Sequence, residues 1–366
     1  MNSYRTYLAV LVLSATGSYL LTPLAIRLAH AWGAVDLPAA RKIHTQPMPR
    51  LGGIAVFFGF CLPWSGLYLL HNPVSHMFQN YEVLFFSLML GATLMLGLGI
   101  YDDIHGADAT QKFLFQIATA CLLWSFGYRI SQFSIPFGSP IVLHPALSLG
   151  VTVLWIVGVT NAINLLDGID GLVSGVTAVI ALSLAIINIF SNNILLALLT
   201  LALAGACLGF LPYNYSPARI FLGDSGSLTI GLVLACIGVL SLFNDQGGGA
   251  SPFISVPLIL FGLPLFDTAR VMVTRLLSGV PIFQADKSHV HHRLLEMGLT
   301  QKQAAWTLYG VAALTSFVSV VLTTVESGRQ LLLSVLFAIL SVVTFFVWKF
   351  SLRPGISKAA EKPPES

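Results

Sequence analysis

Uncharged apolar segments of about 20 residues recur along almost the whole chain, and they constrain its fold more than any other feature. The stretch 130–163 alone holds no Asp, Glu, Lys or Arg. A helix of about 20 apolar residues spans the hydrocarbon core of a bilayer, where the backbone must satisfy its own hydrogen bonds. Only 9% of the residues are charged, whereas soluble domains carry about 25%. The sequence therefore predicts an all-α, polytopic membrane protein.

Hydropathy predicts eleven transmembrane helices in residues 1–350, which we interpret as a single integral-membrane domain. They are expected at 5–29, 52–70, 82–101, 112–130, 147–163, 172–190, 193–211, 226–243, 253–275, 303–324 and 330–349. The polar tail 351–366 is expected to be disordered.

The distribution of charge predicts the orientation of the chain. Eleven spans place the termini on opposite sides, and fifteen of the 18 Lys and Arg residues fall on the side of the C-terminus. The positive-inside rule makes that side cytoplasmic and leaves the N-terminus outside. Twelve of the fifteen acids lie there too, which indicates a functional site at the cytoplasmic face. The basic residues are scattered among membrane loops, so the net charge of +3 does not indicate nucleic-acid binding.

An acidic pair ends the third predicted span, where Asp102 and Asp103 are followed by Lys112 at the start of the fourth. Adjacent carboxylates repel each other unless a metal, a cation or a shared proton relieves them. The pair could hold Mg²⁺, and one member could act as a general base. A solvated helix end is the alternative.

The segment "NAINLLDGIDGL" carries the second polar cluster. Asn161, Asn164 and Asp167 follow i, i+3 spacing and are predicted to share one helical stripe, which Asp170 continues. Such oxygen ligands suit a hard divalent cation. A capped helix junction is the alternative.

The segment "FLGDSGS" places Asp224 just before the eighth predicted span. Small residues at a helix N-terminus make a phosphate-binding cradle, in which this carboxylate could hold a metal. Asp224 could instead be only an N-cap. Phe221, three residues upstream, could stack on a base or belong to the core.

The segment "DKSHVHHRLL" follows the ninth predicted span and is expected to form a short helix from 289 to about 297. Imidazole and guanidinium groups suit a pyrophosphate; zinc binding is the alternative. We expect the first and last histidines to share one face of this helix and the middle one to lie off it. The basic candidates here are Arg275, His289, His291, His292 and Arg293. In the first cytoplasmic loop, Lys42 and Arg50 could bind substrate phosphate or face anionic lipid.

The order of these motifs resembles the polyprenyl-phosphate N-acetylhexosamine-1-phosphate transferases, the WecA/TagO/MraY superfamily. The matching stretches are "PRLGG", "YDD" with Lys112, "NAINLLDGIDGL", "FLGDSGS" and "DKSHVHHRLL", spread over 41–303. The "HVHH" motif is similar to the branch that uses UDP-N-acetylglucosamine. The peptidoglycan-precursor branch has three consecutive histidines instead.

The resemblance implies an eleven-helix fold with a cytoplasmic cleft in the bacterial inner membrane, Mg²⁺ (or Mn²⁺) as cofactor, and transfer of N-acetylglucosamine-1-phosphate from UDP-GlcNAc to undecaprenyl phosphate with release of UMP. This would be the first membrane step of a cell-envelope polysaccharide. The resemblance also makes a homodimer plausible. UDP-GalNAc, a modified sugar or UDP-MurNAc-pentapeptide are alternative donors. An ion-coupled transporter is the alternative of another class, and Asp267 is the charged residue closest to the middle of a span.

The resemblance also implies residue roles. Asp224 would be the main Mg²⁺ ligand with Asn164 assisting, and Asp102 would position or deprotonate the lipid phosphate with Asp103 beside it. The remaining roles are acceptor phosphate binding by Lys112, nucleotide or metal-water orientation by Asp167 and Asp170, uracil stacking by Phe221, and pyrophosphate and sugar binding by Arg275, His289, His291 and His292. Direct attack by the lipid phosphate is the preferred mechanism, and a covalent aspartyl intermediate remains open.

Overall fold

The computed structural model describes residues 3–38, 46–69, 81–133, 141–243, 255–279 and 289–324. The architecture below concerns the described residues up to Val320, which belong to one compact unit. The helices in these ranges are α1 Ser3–Ala31, α2 Gly52–Leu69, α3 Glu82–His105, α4 Ala109–Ser125, α5 Pro145–Leu166, α6 Leu172–Phe190, α7 Ile194–Asn214, α8 Gly223–Leu242, α9 Ser255–Leu260, α10 Gly262–Leu277, α11 Val290–Glu296 and α12 Gln301–Thr324.

Two short antiparallel hairpins accompany the helices. Strand β1 (Val35–Asp36) pairs with β2 (Met48–Pro49), and β3 (Gln132–Phe133) pairs with β4 (Ile141–Val142). The first hairpin leads directly into α2, so it lies near the start of that helix.

Seven helices of the described ranges are long and apolar enough to cross a bilayer: α1, α3, α5, α6, α7, α8 and α12. Residues Gly52–Gly66 of α2 form a shorter apolar helix. The chain is therefore a mostly helical, polytopic membrane protein. The eleventh predicted span and the predicted tail lie outside the described residues.

Two predicted spans differ from the observed helices. The ninth, expected over 253–275, is divided into α9 and α10 at Phe261. Pro264 follows three residues later and has no N–H to donate to the helical carbonyl four residues before it, which interrupts the helix there. The fourth, expected over 112–130, ends as α4 at Ser125, and Gly127 continues the chain at φ +113°.

Helix α8 packs against α2, α3 and α5. Its residues are almost all buried, from Gly223 to Leu242. Glycine is required at two of these crossings, because a Cβ at Gly53 of α2 or Gly99 of α3 would overlap the backbone at Ser225. The close approach brings the first turn of α2 and the last turns of α3 to the start of α8, where Asp224 lies.

Candidate functional site

A cavity of about 900 Å³ opens where the first hairpin, the end of α3, the start of α4 and the start of α8 meet. The turn after α5 and the segment before α8 complete its wall, together with one residue each from α11 and α12. The predicted site residues that line it are Arg50, Asp102, Lys112, Asn164, Asp167, Asp170, Phe221, Asp224 and His292. Residues as far apart in the sequence as Arg50 and His292 therefore meet at one place.

A lysine bridges two acidic motifs in this cavity. The Lys112 ammonium lies 3.1 Å from Asp102 Oδ2 and 2.9 Å from Asp224 Oδ2. The other oxygen of Asp102 accepts the backbone N–H of Ala107, and Asp108 caps the start of α4 through the Thr110 N–H. One cation thus compensates two carboxylates that would otherwise repel each other at the membrane boundary.

Asp103 has a different role from its neighbour. Its side chain is buried and its two oxygens accept the backbone N–H groups of Asp224 and Ser225, both at 3.0 Å. Arg50 lies 3.5 Å away. Asp103 therefore caps the N-terminus of α8 and positions Asp224, and it is not among the described residues that line the cavity. The interpretation of Asp224 as a simple N-cap is wrong, because Leu222 occupies the N-cap position of α8 and the carboxylate of Asp224 contacts Lys112 and Asn164.

A glycine in the left-handed backbone conformation immediately precedes Asp224. Gly223 has φ +73°, and an added Cβ would overlap the carbonyl oxygen of Arg50. Only glycine combines this backbone conformation with this close approach. Phe221, two residues earlier, lines the cavity, and its backbone N–H donates to Pro49 O at 2.8 Å, which fixes the segment to the hairpin.

The predicted asparagine stripe is divided in the structure. The amide of Asn164 donates to Asp224 Oδ1 at 3.1 Å and to Ser227 Oγ at 2.8 Å. Asn161 instead pairs with Gln116 of α4 and is not among the described residues that line the cavity. Asn161 therefore joins α4 to α5, and Asn164 alone reaches the acidic centre.

The two aspartates of "DGIDG" lie in a turn rather than on a continued helix. Helix α5 ends at Leu166, and the N–H of Asp167 donates to Asn164 O at 3.1 Å. Asp170 Oδ2 accepts the Ala218 N–H at 3.1 Å, while its own N–H donates to Gln301 Oε1 at 3.2 Å. The predicted stripe was therefore wrong at its end, although both aspartates line the cavity.

Asp167 lies among other negative groups. Its burial, and then the charges of Asp224 and Asp103, raise the pKa of Asp167 to about 8. This pKa favours a proton on the carboxyl of Asp167 at neutral pH. A cationic or metal-bound ligand would favour its ionised form instead.

The histidine cluster begins and folds much as predicted, with α11 over 290–296 and Gly298 at φ +91° after it. The expected shared face of His289 and His292 is wrong. His289 precedes the helix and its Nδ1 lies 2.8 Å from Asp267 Oδ2, whereas His292 lines the cavity. His291, expected to lie off this face, is 1% exposed and packs on Gly168 of the acidic turn.

Other predicted residues lie farther from the cavity or outside the described residues. Arg275 is buried in α10, and Arg293 lies half-buried on α11. Neither is among the described residues that line the cavity. Lys42 lies outside the described residues.

Several residues with polar contacts here were not predicted as part of the site. Asp36 and Gln46 line the cavity from the first hairpin, and Gln301 lines it from α12. The hydroxyl of Tyr309 donates to Gly171 O at 2.7 Å and so fixes the last residue of the "DGIDG" turn. No sequence motif marks any of these four residues as part of the site.

The donor set at α8 fits a hard divalent cation. Asp224 offers carboxylate oxygens beside the amide of Asn164, and both line the cavity. Within the described ranges, no three or more His, Cys, Asp or Glu side chains form a group suited to a metal ion. Mg²⁺ commonly uses one or two carboxylates and completes its shell with water and substrate phosphates, so a partial protein shell suits it.

Comparisons with known proteins identify relatives over most of the chain. Residues 85–242 match the model of glycosyl transferase family 4. A Bacillus subtilis protein named probable undecaprenyl-phosphate N-acetylglucosaminyl 1-phosphate transferase is 36% identical over 305 residues, covering 83% of this chain and 81% of the relative. The decaprenyl-phosphate N-acetylglucosaminephosphotransferase of Mycobacterium tuberculosis is 34% identical, with 79% and 76% covered.

The undecaprenyl-phosphate alpha-N-acetylglucosaminyl 1-phosphate transferase of Escherichia coli K12 is 27% identical over 329 residues, covering 88% of this chain and 84% of the relative. The family match over residues 85–242 includes Asp102, Lys112 and Asp224 of the cavity. The chain belongs to glycosyl transferase family 4.

Proposed function

We propose that this protein transfers N-acetylglucosamine-1-phosphate from UDP-GlcNAc to undecaprenyl phosphate and releases UMP. The observation that carries the proposal is the ammonium of Lys112 held between Asp102 and Asp224 in a cavity at helix ends. Phosphoryl transfer needs positioning and charge compensation more than covalent chemistry from the protein. The names of the relatives support both the sugar and the lipid acceptor.

In the proposed reaction, a phosphate oxygen of the lipid attacks the sugar-linked phosphorus of UDP-GlcNAc. The bond from that phosphorus to the bridging oxygen breaks, and the electron pair leaves with UMP. Lys112 binds the phosphate of the incoming lipid. Asp102 orients that phosphate indirectly, because it holds the Lys112 ammonium. A phosphate monoester has a second pKa of about 6, so Asp102 has little proton to remove at neutral pH. A covalent aspartyl intermediate is the alternative.

We propose Mg²⁺, or Mn²⁺ in its place, as the cofactor, held by Asp224 and Asn164. When bound, this ion would neutralise the charge that develops on the leaving phosphate. Asp103 keeps Asp224 in position through the first N–H groups of α8. His292 and Phe221, on other parts of the wall, are proposed to contact the sugar-nucleotide.

We propose eleven transmembrane helices in the bacterial cytoplasmic membrane, with the N-terminus outside and the cavity facing the cytoplasm. The Lys and Arg distribution supports this orientation. The homodimer stays a prediction.

The alternative of an ion-coupled transporter rests mainly on Asp267, and the contacts of this residue weigh against it. Its carboxylate is engaged by His289, Arg270 and the backbone N–H of Val290. A transport site for a cation needs acceptor oxygens open to the ion. Asp267 is instead enclosed by donors.

The test is UMP release by the detergent-purified protein, with UDP-GlcNAc, undecaprenyl phosphate and Mg²⁺ each omitted in turn. Asp224→Asn should abolish release. Asp108→Asn is the matched control, because it removes an exposed carboxylate while Asn still caps α4. UMP release that requires lipid, metal and Asp224 supports the proposal. Release only from UDP-GalNAc would keep the reaction and change the assigned donor sugar. No release from any UDP-sugar would refute the proposed enzymatic function, and the transporter alternative would then be tested by measuring ion flux.

A further inference from the structure

A buried carboxylate lies outside the cavity, and the mechanism above does not use it. Asp267, on α10, is 3% exposed. Its Oδ2 lies 2.8 Å from His289 Nδ1, and its Oδ1 accepts the Val290 N–H at 2.9 Å and Arg270 Nη2 at 3.1 Å. A carboxylate in an apolar segment is costly to keep unless such partners compensate it. The function of Asp267 can therefore be inferred from its partners.

Two of these partners form the beginning of α11. The first N–H groups of a helix lack partners within the helix, and a side chain just before it commonly provides one. His289 occupies that place but makes no such bond. Asp267 accepts the Val290 N–H instead, from 23 residues earlier in the sequence. One side chain on α10 thus fixes both the ring of His289 and the first turn of α11.

Helix α11 connects the contacts of Asp267 to the wall of the cavity. The rings of His289 and His291 are nearly parallel, with centroids 5.8 Å apart, and those of His291 and His292 lie 4.3 Å apart. His291 packs on Gly168 so closely that a Cβ there would overlap its Nε2. His292 lines the cavity. Any displacement of the start of α11 would therefore move His292.

We propose that Asp267 is a positioning residue for the sugar-nucleotide site: it holds α11 against α10 so that His292 faces the cavity. Asp267 itself touches no substrate. This inference rests on the function proposed above, because it takes the ligand near His292 to be a nucleoside-diphosphate sugar. The same anchor explains why α10 carries a carboxylate at a buried position.

The experiment measures the dissociation constant of UDP-GlcNAc by calorimetry and, separately, steady-state UMP release. Asp267→Asn keeps an oxygen acceptor for the Val290 N–H but removes the negative charge beside His289 and Arg270. We expect its dissociation constant and its KM for UDP-GlcNAc to rise about tenfold, with the KM for undecaprenyl phosphate within twofold of wild type. Glu296→Gln, which removes an exposed carboxylate from α11, is the matched control. It should change neither the dissociation constant of UDP-GlcNAc nor either KM.

A double-mutant cycle separates positioning from a general loss of structure. In a His292→Ala background, Asp267→Asn should weaken UDP-GlcNAc binding less than twofold, because its effect passes through His292. Equal weakening in both backgrounds would overturn the inference. If Asp267→Asn does not fold, His289→Gln removes the same contact from the other side and should raise the dissociation constant similarly.

The calorimetric arm distinguishes the two proposals. Wild-type protein that binds UDP-GlcNAc but releases no UMP would refute the proposed reaction, while the binding constants still test Asp267. Normal turnover with unchanged donor binding in Asp267→Asn and His289→Gln would refute only the positioning role. Absence of both binding and turnover in wild-type protein would overturn both.

Discussion

Acidification is expected to destabilise this protein through a buried imidazole, that of His291. The side chain is 1% exposed, and neither ring nitrogen has a hydrogen-bond partner in the part of the chain that the structure describes. Burial, and then the neighbouring imidazole of His292, lower the pKa of His291 to about 3. The folded protein therefore holds this ring neutral at pH values where the unfolded chain protonates it.

The size of the effect follows from linkage between proton binding and unfolding. An unfolded histidine has a pKa of about 6.5, and each pH unit between the two pKa values changes the free energy of unfolding by about 1.4 kcal/mol. Because the folded pKa is the lower one, stability is fully present above pH 6.5 and is lost as the pH falls toward 3. At pH 5 the loss is about 2 kcal/mol, which corresponds to a fall in Tm of about 3 °C for a chain of 366 residues.

The assay is thermal unfolding of the detergent-solubilised protein, followed by tryptophan fluorescence at pH 7.5, 6 and 5. His291→Leu removes the titrating group, so its Tm should fall less than that of wild type between pH 7.5 and 5. His105→Gln, which replaces an exposed imidazole at the end of α3, is the control and should keep the wild-type pH dependence. An unchanged pH dependence in His291→Leu would refute the reasoning.

Three further substitutions test other parts of the site. Gly223→Ala forces a side chain into a left-handed conformation against the Arg50 carbonyl, so UMP release and Tm should both fall, with a strain of about 1–3 kcal/mol. Lys112→Met leaves two carboxylates without their shared cation, and kcat/KM for UMP release should fall at least about 100-fold, or ~2.7 kcal/mol. Tyr309→Phe removes the donor to Gly171 O and should lower the stability by about 1 kcal/mol, measured as Tm.

Each of these substitutions has a control of the same chemical change. Gly97→Ala adds a methyl group where nothing lies within 4 Å and should be neutral. Lys302→Met and Tyr4→Phe change exposed side chains and should also be neutral. Effects as large in these controls as in the site variants would contradict the assigned contacts.

Apolar segment length predicted most of the helices, because a membrane helix is specified locally by about 20 residues. Helix α6 begins and ends where hydropathy placed it, at Leu172 and Phe190. The divided ninth span shows the limit of this approach. A proline three residues into α10 changes backbone hydrogen bonding without lowering the mean hydropathy, so a window that averages hydropathy does not detect it.

The motifs predicted which segments form the site better than they predicted the role of each residue. Asp102 and Asp103 were assigned together, yet successive residues on a helix point about 100° apart. Only Asp102 reaches the cavity, while Asp103 turns toward the backbone of α8. Helical geometry predicts that division, although not which of the two faces the cavity. It does not predict the division of Asn161 from Asn164, because i, i+3 spacing places them on one face; Gln116 of α4 engages Asn161 and separates the two.

The partners of the acidic residues explain why the remaining roles could not be read from the sequence. Asp170 is engaged by Ala218 N–H, 48 residues away, and its backbone by Gln301, 131 residues away. Two of the three partners of Asp267, His289 and Val290, lie 22 and 23 residues later, across a change of helix. A local pattern shows that a carboxylate in an apolar segment needs compensation, but it does not show which element provides it. Lys112 and Asp267 illustrate the consequence: compensation by a cation open to the cavity leaves a carboxylate available to a ligand, whereas enclosure by neighbouring donors makes it an anchor.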